Sequence, residues 1–145
     1  MRIRQVLASK PAHDVVTVKP DATVRELIGL LAEHNIGALV VSADGAQVDG
    51  IVSERDVVRR LHEDESVLES AVSVIMSADV ETCEGDHTVD ELMAMMTERR
   101  FRHVPVVADG KLTGIVSIGD VVKSRMSELQ FERDQLDSYV QGSQT

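Results

Sequence analysis

The chain has 145 residues, 43% of them hydrophobic but only 2% aromatic. That length suits one compact unit, or two small halves sharing a core built from Val, Ile, Leu and Met. With 25 acids against 15 Lys and Arg (net charge -10), one cysteine, no apolar run near the ~20 residues of a membrane span and no apolar leader, the sequence excludes an intramolecular disulfide, disfavours nucleic acid and membrane as partners, and predicts a cytoplasmic protein.

In chain order, Val6-Leu7 comes first and resembles Ile75-Met76, each followed by a turn. Val15 to Val18 reads as a short β-branched strand, broken at Pro20. Thr23 with Glu26 three residues later forms a capping box, and Leu27, Leu30 and Leu31 follow at helical spacing. Ala38 to Val41 reads as a buried strand that leads to Asp44-Gly45, a hairpin signal, with a return strand from Val48 to Val52 and a helix from about Glu54.

The same order then returns. Thr23-Val24-Arg25-Glu26-Leu27 reappears 65 residues later as Thr88-Val89-Asp90-Glu91-Leu92, and Gly50-Ile51-Val52-Ser53 reappears 64 residues later as Gly114-Ile115-Val116-Ser117. Leu92, Met95 and Met96 form the second helical stripe, His103 to Val107 the second buried strand, Asp109-Gly110 the turn, Leu112 to Val116 the return, and a helix begins near Ile118. Each copy is a β-α-β-β-α unit. A half of about 60 residues is marginal alone, so the two copies are expected to pack their sheets together as one pseudo-two-fold pair of mixed α/β (α+β) class. The expected division is residues 1–65 for the first copy with its leading segment, 66–125 for the second, and 126–145 for a C-terminal helix and frayed tail.

Two copies of Gly-Ile-Val-Ser-x-x-Asp, at 50–56 and 114–120, with Arg102-His103-Val104-Pro105-Val106, resemble the CBS (cystathionine-β-synthase) domain family. The resemblance runs from about residue 3 to about 124. It implies a stand-alone, non-catalytic regulatory module that needs no cofactor for chemistry and takes an adenosyl ligand in clefts between the repeats: AMP, ADP, ATP, NAD(H) or S-adenosylmethionine. It further implies conformational signalling to an unidentified protein target.

A carboxylate offers two acceptor oxygens to a ribose diol, so Asp56 and Asp120 are the ribose candidates that the motif implies. Ser53 and Ser117, at helix starts where N–H groups are free, suit a phosphate, as do Arg55, Arg102 and His103. Arg99, Arg100 and Lys111 extend that basic edge, and Val16, Val18, Ile36, Val80 and Val104 are candidate adenine walls. Each has a plainer reading beside it. Ser-x-x-Asp also caps helices, Arg55 also suits a solvated helix face, Arg99 and Arg100 also suit a helix end, and the valines also suit a core.

There is no phosphate-loop or dinucleotide glycine motif, no nucleophile elbow and no histidine pair at metal-ligand spacing, so neither catalysis nor a metal is expected. Cys83 reads as a small buried hydrophobe. Val122, Met126, Leu129, Leu136 and Val140 form a near-heptad stripe. It suits a homodimer, or a helix folded back over its own module. The competing functional reading is a ligand-independent dimeric interaction protein with vestigial clefts.

Overall fold

The computed structural model describes residues 1–10 and 15–143. A leading helix, α1 (Ile3–Ser9), precedes β1 (Thr17–Val18), α2 (Val24–His34), β2 (Ala38–Val41), β3 (Gly50–Ser53) and α3 (Glu54–Glu63). A 3-10 turn (Glu65–Glu69) and a short helix α4 (Val72–Ile75) lead to β4 (Cys83–Glu84), α5 (Val89–Arg99), β5 (His103–Ala108), β6 (Lys111–Ser117) and the long α6 (Ile118–Ser143). Each repeat forms a three-stranded sheet, β1-β2-β3 and β4-β5-β6, with its first pair parallel and its second antiparallel.

The capping boxes start the helices as the sequence requires. Thr23 Oγ1 accepts the Glu26 N–H at 3.1 Å while Glu26 Oε2 accepts the Thr23 N–H at 3.0 Å, and Thr88 and Glu91 repeat the exchange. The two turns differ. Asp109 and Gly110 both have positive φ, 52° and 77°, which makes a two-residue hairpin. In the first repeat only Gly45 does, and Asp44 instead accepts the N–H groups of Ala46 and Gln47 at 2.9 Å each. The extra residue there opens a wider loop, so the return strand starts at Gly50 rather than Val48.

β2 is buried along its whole length. Leu39 and Val41 join the first apolar cluster. Ala38 and Val40 alternate to the opposite face and are buried as well, at 5% and 0% exposure, as a sheet packed on a sheet requires.

The two apolar clusters do not follow the linear order of the chain. Ile3 and Val6 of α1 sit in the cluster of the second repeat, with Leu92, Val104 and Val116. Val72 and Ile75 of α4 sit in that of the first, with Leu27, Leu39 and Val52. Backbone bonds fix both crossings. Ile3 N–H donates to His87 O at 2.9 Å and Arg4 N–H to Gly85 O at 3.0 Å, while Val72 N–H donates to Ala22 O at 2.7 Å and Val24 N–H to Ser70 O at 2.9 Å.

These crossings explain the glycine that opens each repeated motif. A Cβ on Gly114 would lie 2.7 Å from Leu7 Cδ2, and one on Gly50 would lie 2.6 Å from Met76 Sδ and 2.9 Å from Ser77 O. Each leading helix docks where only glycine leaves room.

Among the described residues, no helix is long and apolar enough to cross a membrane, and no group of His, Cys, Asp and Glu could hold a metal. Cys83 is buried at 2% exposure, and burial pushes its thiol up to about 11.

Candidate functional site

Both Ser-x-x-Asp segments build the same junction. β3 ends at Ser53 where α3 begins, and β6 ends at Ser117 where α6 begins. The Asp56 N–H donates to Ser53 Oγ at 3.3 Å while Ser53 donates its N–H to Asp56 Oδ2 at 2.8 Å. The Asp120 N–H donates to Ser117 Oγ at 3.1 Å while Ser117 donates its N–H to Asp120 Oδ2 at 2.9 Å. The plainer capping role is therefore filled at both places. Each cap occupies only Oδ2. Oδ1 of each aspartate has no hydrogen bond among the described residues, so one acceptor on each remains unused.

Two clefts lie between the repeats. The Asp120 cleft, about 790 Å³, is walled by Val15, Val16, Ile36, Leu39 and Ile115, with Lys10, His34, Asn35, His103, Thr113, Ser117 and Asp120 among its polar lining. Lys10 arrives from the leading segment, and its Nζ donates to Ile115 O at 2.9 Å and Asp120 Oδ2 at 3.0 Å. Burial pushes the Asp120 carboxyl up, but the Ser117 N–H and the Lys10 ammonium outweigh it and hold the group below its ordinary value.

The Asp56 cleft, about 700 Å³, has Ile51, Val58 and Phe101 on its walls and Ser53, Glu54, Arg55, Asp56, Arg59, Arg100, Arg102 and His103 as its polar lining. Both volumes fall in the usual range of small-molecule sites.

Gly37, Ala38 and His103 line both clefts and form the partition between them. Burial lowers the His103 imidazole below its ordinary value. Asp120 and Glu54 oppose that shift, and Lys10 and Arg102 reinforce it.

The structure thus brings Ser53, Arg55, Asp56, Arg102 and His103 into one cleft and Val16, Ile36, His103, Ser117 and Asp120 into the other. Three of the expected walls fall elsewhere. Val18 pairs with Val41 in β1 and packs in the first cluster. Val104 alternates to the face of β5 opposite His103 and packs in the second cluster. Val80 lines neither cleft. Arg99 is held by Glu81 at 2.9 Å, and Lys111 starts β6 at the hairpin.

Sequence reasoning missed Lys10, Arg59 and Phe101. Phe101 stands 65 residues after Ile36, and Arg59 lies one helical turn after Arg55, so the repeat register and the four-residue spacing carried both signals. Lys10 left no signal, because it reaches Asp120 only through the crossing of α1 into the second repeat.

A model of the CBS domain matches residues 3–63 and again 71–127. The chain belongs to the CBS-domain family. A crystal structure of a CBS-domain containing protein from Agrobacterium tumefaciens is 47% identical, with a TM-score of 0.81 over 86% of this chain and 99% of that one. The mitochondrial CBS domain-containing protein CBSX3 of Arabidopsis thaliana is 37% identical over 84% of this chain, which spans 62% of that protein's length. Two more distant CBS structures contain ligands. CBSX2 in complex with AMP is 25% identical, with a TM-score of 0.72 over 87% of this chain and 96% of that one. The CBS pair of MJ0100 in complex with 5′-methylthioadenosine and S-adenosylmethionine is 25% identical, with a TM-score of 0.76 over 88% and 98%.

Proposed function

We propose that this CBS pair is a non-catalytic regulatory module whose two clefts bind adenosyl ligands. One observation carries the reading. Each cleft places an aspartate at a strand-to-helix junction with its Oδ1 free of hydrogen bonds among the described residues, beside apolar walls in a cavity of about 790 or 700 Å³. In this reading Asp56 and Asp120 accept the ribose hydroxyls, charge-assisted bonds that favour one ligand pose. The Ser117 hydroxyl adds a donor at its helix start, the Ser53 hydroxyl already donates to Asp56 Oδ2 at 3.0 Å, and Arg55, Arg102 and His103 face a phosphate. Val16 and Ile36 wall the adenine in the Asp120 cleft. The family relatives that hold AMP, 5′-methylthioadenosine or S-adenosylmethionine support the ligand class.

Both clefts lie between repeats, so a bound ligand contacts both halves and favours the arrangement that fits it. The signal then passes to a protein target through a homodimer built on α6. Ile118, Val122, Met126, Leu129, Leu136 and Val140 are 46–65% exposed along that helix, and residues 129–142 are exposed throughout. Residues 129–139 alone make an exposed stretch of eleven, and a helix that short is marginal in water. That length argues for a second copy and against folding back.

Calorimetry with AMP, ADP, ATP, NADH, S-adenosylmethionine and 5′-methylthioadenosine tests the reading. Asparagine can still accept the serine N–H with its oxygen but places an NH2 donor where the free Oδ1 would accept a ribose hydroxyl. Asp56→Asn and Asp120→Asn should therefore keep the fold while weakening their own cleft at least about tenfold, the worth of one charge-assisted bond. Well-folded protein that gives no heat with any of these compounds is the result that leaves the ligand-independent dimer standing.

A further inference from the structure

The two clefts share a scaffold but not a charge. Arg55, Arg59, Arg100 and Arg102 all line the Asp56 cleft. Their counterparts in the other repeat are Gly119, Lys123, Asn35 and Gly37. Gly37 and Asn35 line the Asp120 cleft without charge, and Lys123 faces the outer groove of α6 instead. Duplicated positions have thus diverged together, toward guanidinium on one side only.

These four arginines also differ from those that the chain pairs with its own acids. Arg4, Arg25, Arg99 and Arg125 each hold a carboxylate. Among the described residues, none of the four in the cleft makes a salt bridge or a side-chain hydrogen bond, although acids outnumber basic residues 25 to 15. Glu54 and Asp56 are the acids of that lining, so the cleft keeps a net positive charge that the protein itself does not neutralise. Arg100 adds a backbone cost: it ends α5 at φ 60° in the left-handed region, where its counterpart Asn35, a residue that tolerates it, sits at φ 52°. An arginine at such a position is held there against its own preference.

The Asp120 cleft is balanced. Its one ammonium, Lys10, is already paired with its one carboxylate, and burial favours the neutral His103. An uncharged adenosyl group enters it without leaving a charge unpaired.

We infer that the Asp56 cleft is a polyphosphate site for an adenosyl ligand with two or more linked phosphates, while the Asp120 cleft takes an adenosyl ligand without net negative charge. This rests on the adenosyl reading above and adds which ligand goes where. Guanidinium forks match phosphate oxygens in pairs. Several of them around one cavity favour a chain of phosphates over a single one, and Phe101 supplies an aromatic face beside them for the base.

Three probes separate the possibilities by calorimetry: ATP, 5′-methylthioadenosine and inorganic tripolyphosphate, each against wild type, Arg55→Gln/Arg102→Gln and Asp120→Asn. ATP and tripolyphosphate should each lose at least about tenfold in affinity in the double arginine variant. Both should weaken steeply between 50 and 300 mM salt, as exposed charges do, and 5′-methylthioadenosine should be lost in Asp120→Asn. ATP and 5′-methylthioadenosine both lost in Asp120→Asn, with the arginine variant binding ATP as wild type does, would overturn the assignment while leaving the adenosyl reading intact. Tripolyphosphate binding that needs the arginines, with no binding of any adenosine compound, would keep the polyphosphate site and reject the adenosyl reading. Absence of tripolyphosphate binding to wild type at low salt would also overturn it.

Discussion

The Asp56 and Asp120 clefts grew from one ancestral unit, and comparing them separates what the fold needs from what a ligand sees. Both keep the serine–aspartate cap with bonds of 2.8–3.3 Å, because losing it would leave helix N–H groups unsatisfied. Both keep the motif glycine, because a leading helix packs on it. The positions free of those duties have diverged: Arg55 against Gly119, Arg102 against Gly37, Phe101 against Ile36. A duplicated module keeps its joints and varies its linings.

The strongest way to challenge that comparison is through the cores. Leu27 and Leu92 hold equivalent places, at 0% and 1% exposure. Either change to alanine should cost about 2–5 kcal/mol, and urea denaturation should find the two losses alike. A large inequality would mean that the repeats do not support the structure equally.

The motif glycines should differ by less, and in a stated direction. A methyl on Gly50 meets the Ser77 carbonyl oxygen at 2.9 Å, a backbone atom that cannot swing aside, whereas Gly114 meets only the Leu7 side chain. Gly50→Ala should therefore cost about 2 kcal/mol and Gly114→Ala about 1 kcal/mol, within the range for overpacking, as thermal melts would show.

The smallest effect is the part of the pH slope that His103 and Asp120 contribute. Burial favours neutral His103, so as pH falls below its ordinary 6.5 the unfolded chain takes up the proton first and stability declines until the folded imidazole also titrates. Asp120 extends the loss under stronger acid. Its folded value lies below 3.8, so its contribution is whole above that pH and disappears as the folded carboxyl is protonated. Chemical denaturation from pH 7.5 to 3 should show a flatter upper slope in His103→Gln and a smaller acid loss in Lys10→Met. Unchanged curves in both variants would contradict the electrostatic picture of this cleft.

How far the sequence reached depended on whether a signal was local. Caps, strands and turns of both repeats were legible because Thr23-Glu26 and Thr88-Glu91, Asp109-Gly110 and the valine runs act through neighbours in the chain. The wider loop at Asp44 was not, since one extra residue exchanges a hairpin for an Asx-type turn with little change in composition. At the site, the aspartates and Arg102-His103 stood out by repetition and family likeness. Val18 was misplaced because alternation depends on where a strand starts, and β1 begins only at Thr17, while Val104 follows His103 and so takes the opposite, core face of β5. Lys10 was invisible because its role is created by a long-range crossing.

That crossing has a thermodynamic consequence. With α1 completing one core and α4 the other, neither half can melt without pulling a helix out of its neighbour. The two repeats should unfold as a single cooperative unit, so calorimetric and van't Hoff enthalpies should agree. Occupancy of one cleft alone would then raise the melting point of the entire molecule, and the far half would register a ligand it never touches.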